Sequence, residues 1–360
     1  MIDRSKRKAK WACWLAVMAV GAGGFAAERQ AVRGAEEDVN STELRGRPGL
    51  RPNEHLLFNG WGVTPAGEHV GMSDLALKLV VAPDGKRLLA AHGGFNKHGL
   101  TVFDIATRRQ TQFLPLVKSW NGLAFSRDGK QCFVSGGDSG QVHVFRYAGG
   151  EATFDRSVKP APEAEEVFLA GIAVHPATGK LYTCNEATDE VWVLNPDSLA
   201  RESVIRVGEH PHTCVLGADR RHVYVSDWGS RSVSIVDTEV GKRVREIAVG
   251  LRPNDMALAP DGRLFVACAG DNTVHVIQTR VVESTEPEAS PARRLPEGTR
   301  EIISTSLYPD SPEGSTPTGV AVSPDGRTLF VANADNNCVM VVDISNAISE
   351  EARRNRESVS

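Results

Sequence analysis

The sequence predicts an all-β chain, a β-propeller of four-stranded antiparallel blades, and three features carry that prediction. A unit of about 40 to 50 residues recurs. Each unit closes a tight turn such as Ser-Pro-Asp-Gly, and each carries a third strand rich in branched aliphatic residues. The stretch from Gly319 to Ser345 shows the grammar: a strand at Ala321-Val322, the turn Ser323 to Gly326, a second strand at Leu329 to Ala332, a polar loop, then a third strand at Val339 to Asp343. Proline presets φ, aspartate bonds nearby backbone and glycine accepts positive φ, so the turn has a mechanism.

Six such units are visible. Their turns end at Lys86, Lys130, Lys180, Arg221, Arg263 and Arg327. The markers Asp84, Asp128, Asp219, Asp261 and Asp325 are separated by 44, then 91 across two units, then 42, then 64 residues, so the last interval holds an insertion, placed at 281–300. Its run ESTEPEASPARRLPEG is poor in apolar residues and reads as a surface excursion. Third strands recur as LTVFDI, QVHVFRY, EVWVLN, SVSIVD, TVHVIQ and CVMVVD. A lone blade cannot bury both faces of its sheet, whereas blades stacked around an axis can.

The chain is 360 residues long with a formal net charge of −4, enough for one large all-β domain and without the basic field that a nucleic-acid binder needs. Residues 1–26 carry Arg4, Lys6, Arg7, Lys8 and Lys10 before an apolar run from Trp11, the pattern of a secretory signal peptide. An uncleaved anchor is the alternative reading. Cleavage removes five cations and one anion, moves the net charge from −4 to −8, leaves no membrane span and places the protein in the periplasm or outside the cell. Residues 27–53 read as a flexible lead-in, 54–345 as the propeller and 346–360 as a charged tail. The five remaining cysteines, Cys132, Cys184, Cys214, Cys268 and Cys338, form no C-x-x-C unit and read as small buried hydrophobes.

In a meander successive connections alternate between two ends. The Asp-Gly turns lie at one, while the second-to-third strand loops and the segments entering each first strand lie at the other. That second end gathers His92, Lys97 and His98; Trp120 and Asn121; Asn185 and Glu186; His210 and His212; Asp227 and Trp228; Arg252, Asn254 and Asp255; and Asp335. The binding candidates are His92, His98, Trp120, Asn121, His210, His212, Asp227, Trp228, Arg252, Asn254, Asp255 and Asp335, with the loop tryptophans supplying amphipathic surface. Asn185, Asn272 and Asn333 read instead as residues that bond nearby backbone. No nucleophile elbow, H-E-x-x-H or P-loop is present, so no catalytic residue, metal ligand or cofactor is assigned.

The units AVSPDGRTLFVANADNNCVMVVD and ALAPDGRLFVACAGDNTVHVIQ resemble YVTN/YncE-type β-propeller repeats of exported bacterial proteins. NGWGVTPAG and KSWNGLAFSRDG resemble the propeller half of proteins in which such a domain precedes an alkaline-phosphatase-like phosphoesterase domain. The resemblance implies seven blades, and hence a truncated ring with a gap or poor closure between the segment near Trp61 and Val339 to Asp343; the count of strands leaves the alternative that the strand near Trp61 completes blade six and closes a six-bladed ring. It leaves three functional classes: a binding or scaffold module for a small polar ligand, peptide or partner protein, which the absence of a catalytic motif favours; the accessory half of a phosphoesterase; and a lactonase-like or dehydrogenase-type enzyme.

Overall fold

The computed structural model describes residues 70, 75–94, 97–161, 166–279, 298–299, 301–306, 315–335 and 338–345. All of them fall in one compact unit, Val70–Ser360, the other being Met1–His69. The expected signal peptide, the lead-in, the segment near Trp61, most of the insertion and the charged tail lie outside the described residues.

Six antiparallel sheets follow one another along the chain. Blade 1 is β1 (Leu75–Val81), β2 (Arg87–Gly93), β3 (Gly99–Asp104) and β4 (Arg109–Pro115); blade 2 is β5 (Leu123–Phe125), β6 (Gln131–Ser135), β7 (Val142–Ala148) and β8 (Glu151–Val158). Blade 3 is β9 (Leu169–Val174), β10 (Leu181–Asn185), β11 (Glu190–Leu194) and β12 (Arg201–Arg206); blade 4 is β13 (Pro211–Leu216), β14 (His222–Asp227), β15 (Ser232–Asp237) and β16 (Lys242–Ala248). Blade 5 is β17 (Pro253–Leu258), β18 (Arg263–Cys268), β19 (Thr273–Gln278) and β20 (Glu301–Ser304); blade 6 is β21 (Pro317–Val322), β22 (Thr328–Asn333) and β23 (Cys338–Asp343). Five blades are four-stranded, and blade 6 has three strands among the described residues. No helix is present among them. The first strands β1, β5, β9, β13, β17 and β21 pack in that order, as in a six-bladed propeller.

The turns work as their composition dictates. Asp84, Asp261 and Asp325 each accept the backbone N–H two residues on, at 2.8, 3.0 and 3.1 Å. Gly85, Gly262 and Gly326 take φ of 66°, 89° and 70°. A hydrogen bond of this kind contributes about 0.5–1.5 kcal/mol net. Burying one Val, Leu or Phe contributes about 1.5–3 kcal/mol, so the packing between blades dominates.

That packing follows one rule. Each blade offers the next an aromatic or Leu side chain from its second strand and two branched or Leu side chains from its third. In blade 2 these are Phe133, Val142 and Val144, set against Leu181 and Trp192 of blade 3; in blade 4 they are Tyr224, Val233 and Ile235, set against Leu264 and Val266 of blade 5. Four of the cysteines fill the same interior as free buried thiols, and Cys338 is half-buried.

Candidate functional site

Backbone irregularities recur at the loop-rich end. The pairing of first with second strand slips between Ala76 and Lys78 in blade 1, between Pro211 and Thr213 in blade 4, between Pro253 and Met256 in blade 5 and between Pro317 and Gly319 in blade 6. The extra residues are Leu77, His212, Asn254 with Asp255, and Thr318. A bulge re-aims a side chain that regular alternation would point into the sheet stack. Before each of the three prolines sits a residue in the left-handed region: His210 at φ 51°, Arg252 at 54° and Thr316 at 47°. Each turns its carbonyl to accept a loop N–H, from Trp228, Ala269 and Ala334 respectively, all at 3.0 Å.

These devices bring one connected set of side chains together. His212 Nδ1 lies 2.6 Å from Glu186 Oε1, and its Nε2 lies 2.8 Å from Asn121 Nδ2. Glu186 is an acceptor, so Nδ1 carries the proton and the Nε2 lone pair accepts from the Asn121 amide, an assignment that follows from this network. Asn121 Oδ1 is buried with no protein partner. The Glu186 backbone carbonyl is 3.2 Å from His210 Nδ1. The His210 ring stands edge-on to Trp228 with centroids 6.4 Å apart, and the Arg252 guanidinium lies 5.3 Å from the Trp228 ring centroid. Asn121, Glu186, His210, His212, Trp228 and Arg252 thus link blades 2, 3, 4 and 5. Nearby, Lys78 of blade 1 pairs with Asp255 of blade 5 at 2.6 Å, and Asp255 also accepts from the Val320 amide of blade 6 at 3.2 Å.

The other expected site residues sit elsewhere. His92 is fully buried, bonded to Thr101 and edge-on to Phe113, and Asp227 is likewise fully buried, so neither lines the surface. Alternation sends both side chains inward from the ends of β2 and β14, where loop composition alone pointed outward. His98 ties its own loop to the next blade: Nδ1 accepts from the Ser119 amide at 3.1 Å, and Nε2–H donates to the Gly94 carbonyl at 3.2 Å. Trp120 packs on the core against Phe168, with ring centroids 5.1 Å apart. Asn254 donates to the Thr318 carbonyl at 3.4 Å, and Asp335 accepts from the Thr316 hydroxyl, so both brace neighbouring segments. Asn185 bonds the Phe168 amide, and Asn272 accepts from the Ser315 and Thr316 amides, the structural roles expected of them.

Glu186 is absent from the sequence-derived candidates, although its loop was recognised. Its pairing with a histidine 26 positions on depends on how neighbouring blades are rotated, which no local spacing encodes. Among the described carboxylates Asp227 stands out: burial pushes its carboxyl up to about 7, against the opposing effect of hydrogen bonds from Ser234, Ser232 and the Gly208 amide. Among the described residues no group of three or more His, Cys, Asp or Glu is placed to hold a metal ion.

Residues 78–229 match the model of the SMP-30/gluconolactonase/LRE-like region, and residues 250–278 match the WD domain G-beta repeat. The chain belongs among the β-propellers. Antigen Lp49 of Leptospira interrogans is 30% identical over 125 residues, which cover 33% of this chain and 24% of that protein. A putative 6-phosphogluconolactonase from Bacteroides uniformis superposes with a TM-score of 0.57 at 16% identity, covering 75% of this chain and 82% of that one. A hydrazine synthase chain of Kuenenia stuttgartiensis gives a TM-score of 0.49 at 17% identity, over 79% and 99% of the respective chains.

Proposed function

We propose that the loop-rich end is a recognition surface and that this exported propeller acts as a binding or scaffold module for a small polar ligand or peptide. The observation that carries the reading is the unbroken series from Asn121 through His212 and Glu186 to His210, Trp228 and Arg252, drawn from four blades to one place. Hydrogen-bonding groups beside a rim tryptophan are what a site for a polar ligand requires. A thermal-shift panel of small polar compounds and short peptides tests it. At least one compound should stabilise the wild type, and Glu186→Gln, which weakens the hold on His212, should lose most of that shift while keeping its own unliganded Tm near wild type. A shift that survives in Glu186→Gln would remove these residues from the site.

Lactone hydrolysis is the second reading, supported by the match of residues 78–229 to the gluconolactonase-like model and by the carboxylate-held imidazole. His212 Nε2, once Asn121 turns aside, would take a proton from the attacking water. Glucono-δ-lactone followed in a pH-stat separates the readings: turnover that falls about 10²-fold or more in His212→Gln favours catalysis, whereas no turnover above the spontaneous rate leaves binding. The finer likeness to YVTN/YncE-type proteins and the pairing with a phosphoesterase rest on the quoted repeats alone, and export rests on the character of residues 1–26.

A further inference from the structure

The turn of blade 4 departs from its five counterparts. In those, glycine fills the position before the closing Lys or Arg: Gly85, Gly129, Gly179, Gly262 and Gly326, with φ between 66° and 89°. Blade 4 sets Arg220 there in the same left-handed backbone, at φ 58°, and its N–H closes the turn on the Gly217 carbonyl at 3.0 Å. A side chain is disfavoured in that region where glycine is not, and an outlier kept against that preference points to a use for the side chain. The same turn opens with Gly217 and Ala218, where blades 1, 5 and 6 set the bulkier Ala-Pro or Ser-Pro. Beside it lies an open hollow of about 410 Å³ between the turns of blades 3, 4 and 5, at the end of the propeller opposite His212. Its wall is apolar, chiefly Pro176, Leu216, Ala218, Leu258 and Pro260, and Arg220 is the charged residue on it. Among the described residues Arg220 has no carboxylate partner. The acids of the same and adjoining turns are engaged elsewhere: Asp219 by the His222 ring and the amides of Arg221 and His222, Asp237 and Glu239 by Arg221, and Asp261 by Arg263.

We propose that this hollow is a second binding site, for a small alkyl carboxylate. The guanidinium of Arg220 takes the carboxylate, two N–H groups matching two oxygens. The aliphatic tail lies against Leu216, Leu258 and the two prolines, where it leaves water. Charge complementarity sets the sign of the ligand, since Arg220 is the one group at the hollow left with an uncompensated charge among the described residues. The volume, at the lower end of the range of about 300–1,000 Å³ for small-molecule sites, sets its size. The site is independent of the recognition surface at the loop-rich end and does not rest on that reading.

The test is calorimetric titration of the full chain with acetate, butyrate, hexanoate and hexanol at constant ionic strength. Hexanoate should bind saturably. Affinity should rise about fourfold per added methylene from acetate to hexanoate, and hexanol, which keeps the tail and lacks the charge, should bind about tenfold more weakly or worse. Arg220→Gly gives blade 4 the residue of the other five turns, so it should keep or raise the wild-type Tm while weakening hexanoate about tenfold or more. Arg220→Gln, which removes the charge and keeps a side chain at the same backbone position, should weaken it to a similar extent. No saturable binding of hexanoate to the wild type, acetate or hexanol binding as tightly as hexanoate, or unchanged hexanoate affinity in either variant would overturn the proposal.

Discussion

Asp227 shows how far a single residue departs from what its neighbours in sequence suggest. It closes β14 at the position held by Asn185 in β10 and Asn333 in β22, so the blade design accepts a neutral amide there. With its carboxyl at about 7, the folded protein keeps a proton that the unfolded chain releases near pH 4. The contribution of Asp227 to stability therefore declines as pH rises from about 4 to 7 and levels off above, a cost of order 4 kcal/mol at most. Burial holds His143 and His275 below the ordinary imidazole value, which acts in the opposite direction near pH 6. The turn carboxylates Asp84, Asp128 and Asp325 sit below their ordinary values because of hydrogen bonds, those to the Lys86 amide, the Ser126 hydroxyl and the Ser323 hydroxyl being foremost. Their contribution is lost only as pH falls below about 4, outside that window. Asp227→Asn should remove this contribution of Asp227 between pH 4 and 7, read as the difference between wild-type and variant urea midpoints across that range. A difference that stays constant with pH would show that Asp227 does not carry it.

The inner strands approach one another closely because small residues stand where they meet. A Cβ on Gly171 of β9 would lie 2.8 Å from the His212 carbonyl oxygen and 2.8 Å from the Thr213 Cα, both backbone atoms that cannot swing away. Gly171→Ala should cost about 1–3 kcal/mol in urea unfolding and displace His212; a neutral substitution would mean that β9 and β13 part easily enough to admit a methyl group. Repeat length, turns and third strands were legible in the sequence because local chemistry encodes them: Asp325 and Gly326 make the same turn wherever they recur. The bulge that re-aims His212 was not legible, since Pro-His-Thr has no local signature distinguishing a bulge from a regular strand. Nor was the inward orientation of His92 and Asp227, which register decides and a one-residue shift would reverse.

For the molecule as a whole, the blades set a direction of packing and the loops at one end set the chemistry. Side chains far apart in sequence, Asn121 and His212 among them, meet only because blades 2, 3 and 4 stand side by side. The central claim is that a ligand sits at this meeting point, against Trp228. Tryptophan emission during titration with a compound that stabilises the wild type tests it most directly. The account predicts an emission change that saturates with the thermal-shift affinity and disappears in Trp228→Phe, with Trp120 contributing little because it packs on the core. An emission change that persists unaltered in Trp228→Phe, or a stabilising compound that leaves wild-type emission unmoved, would contradict it.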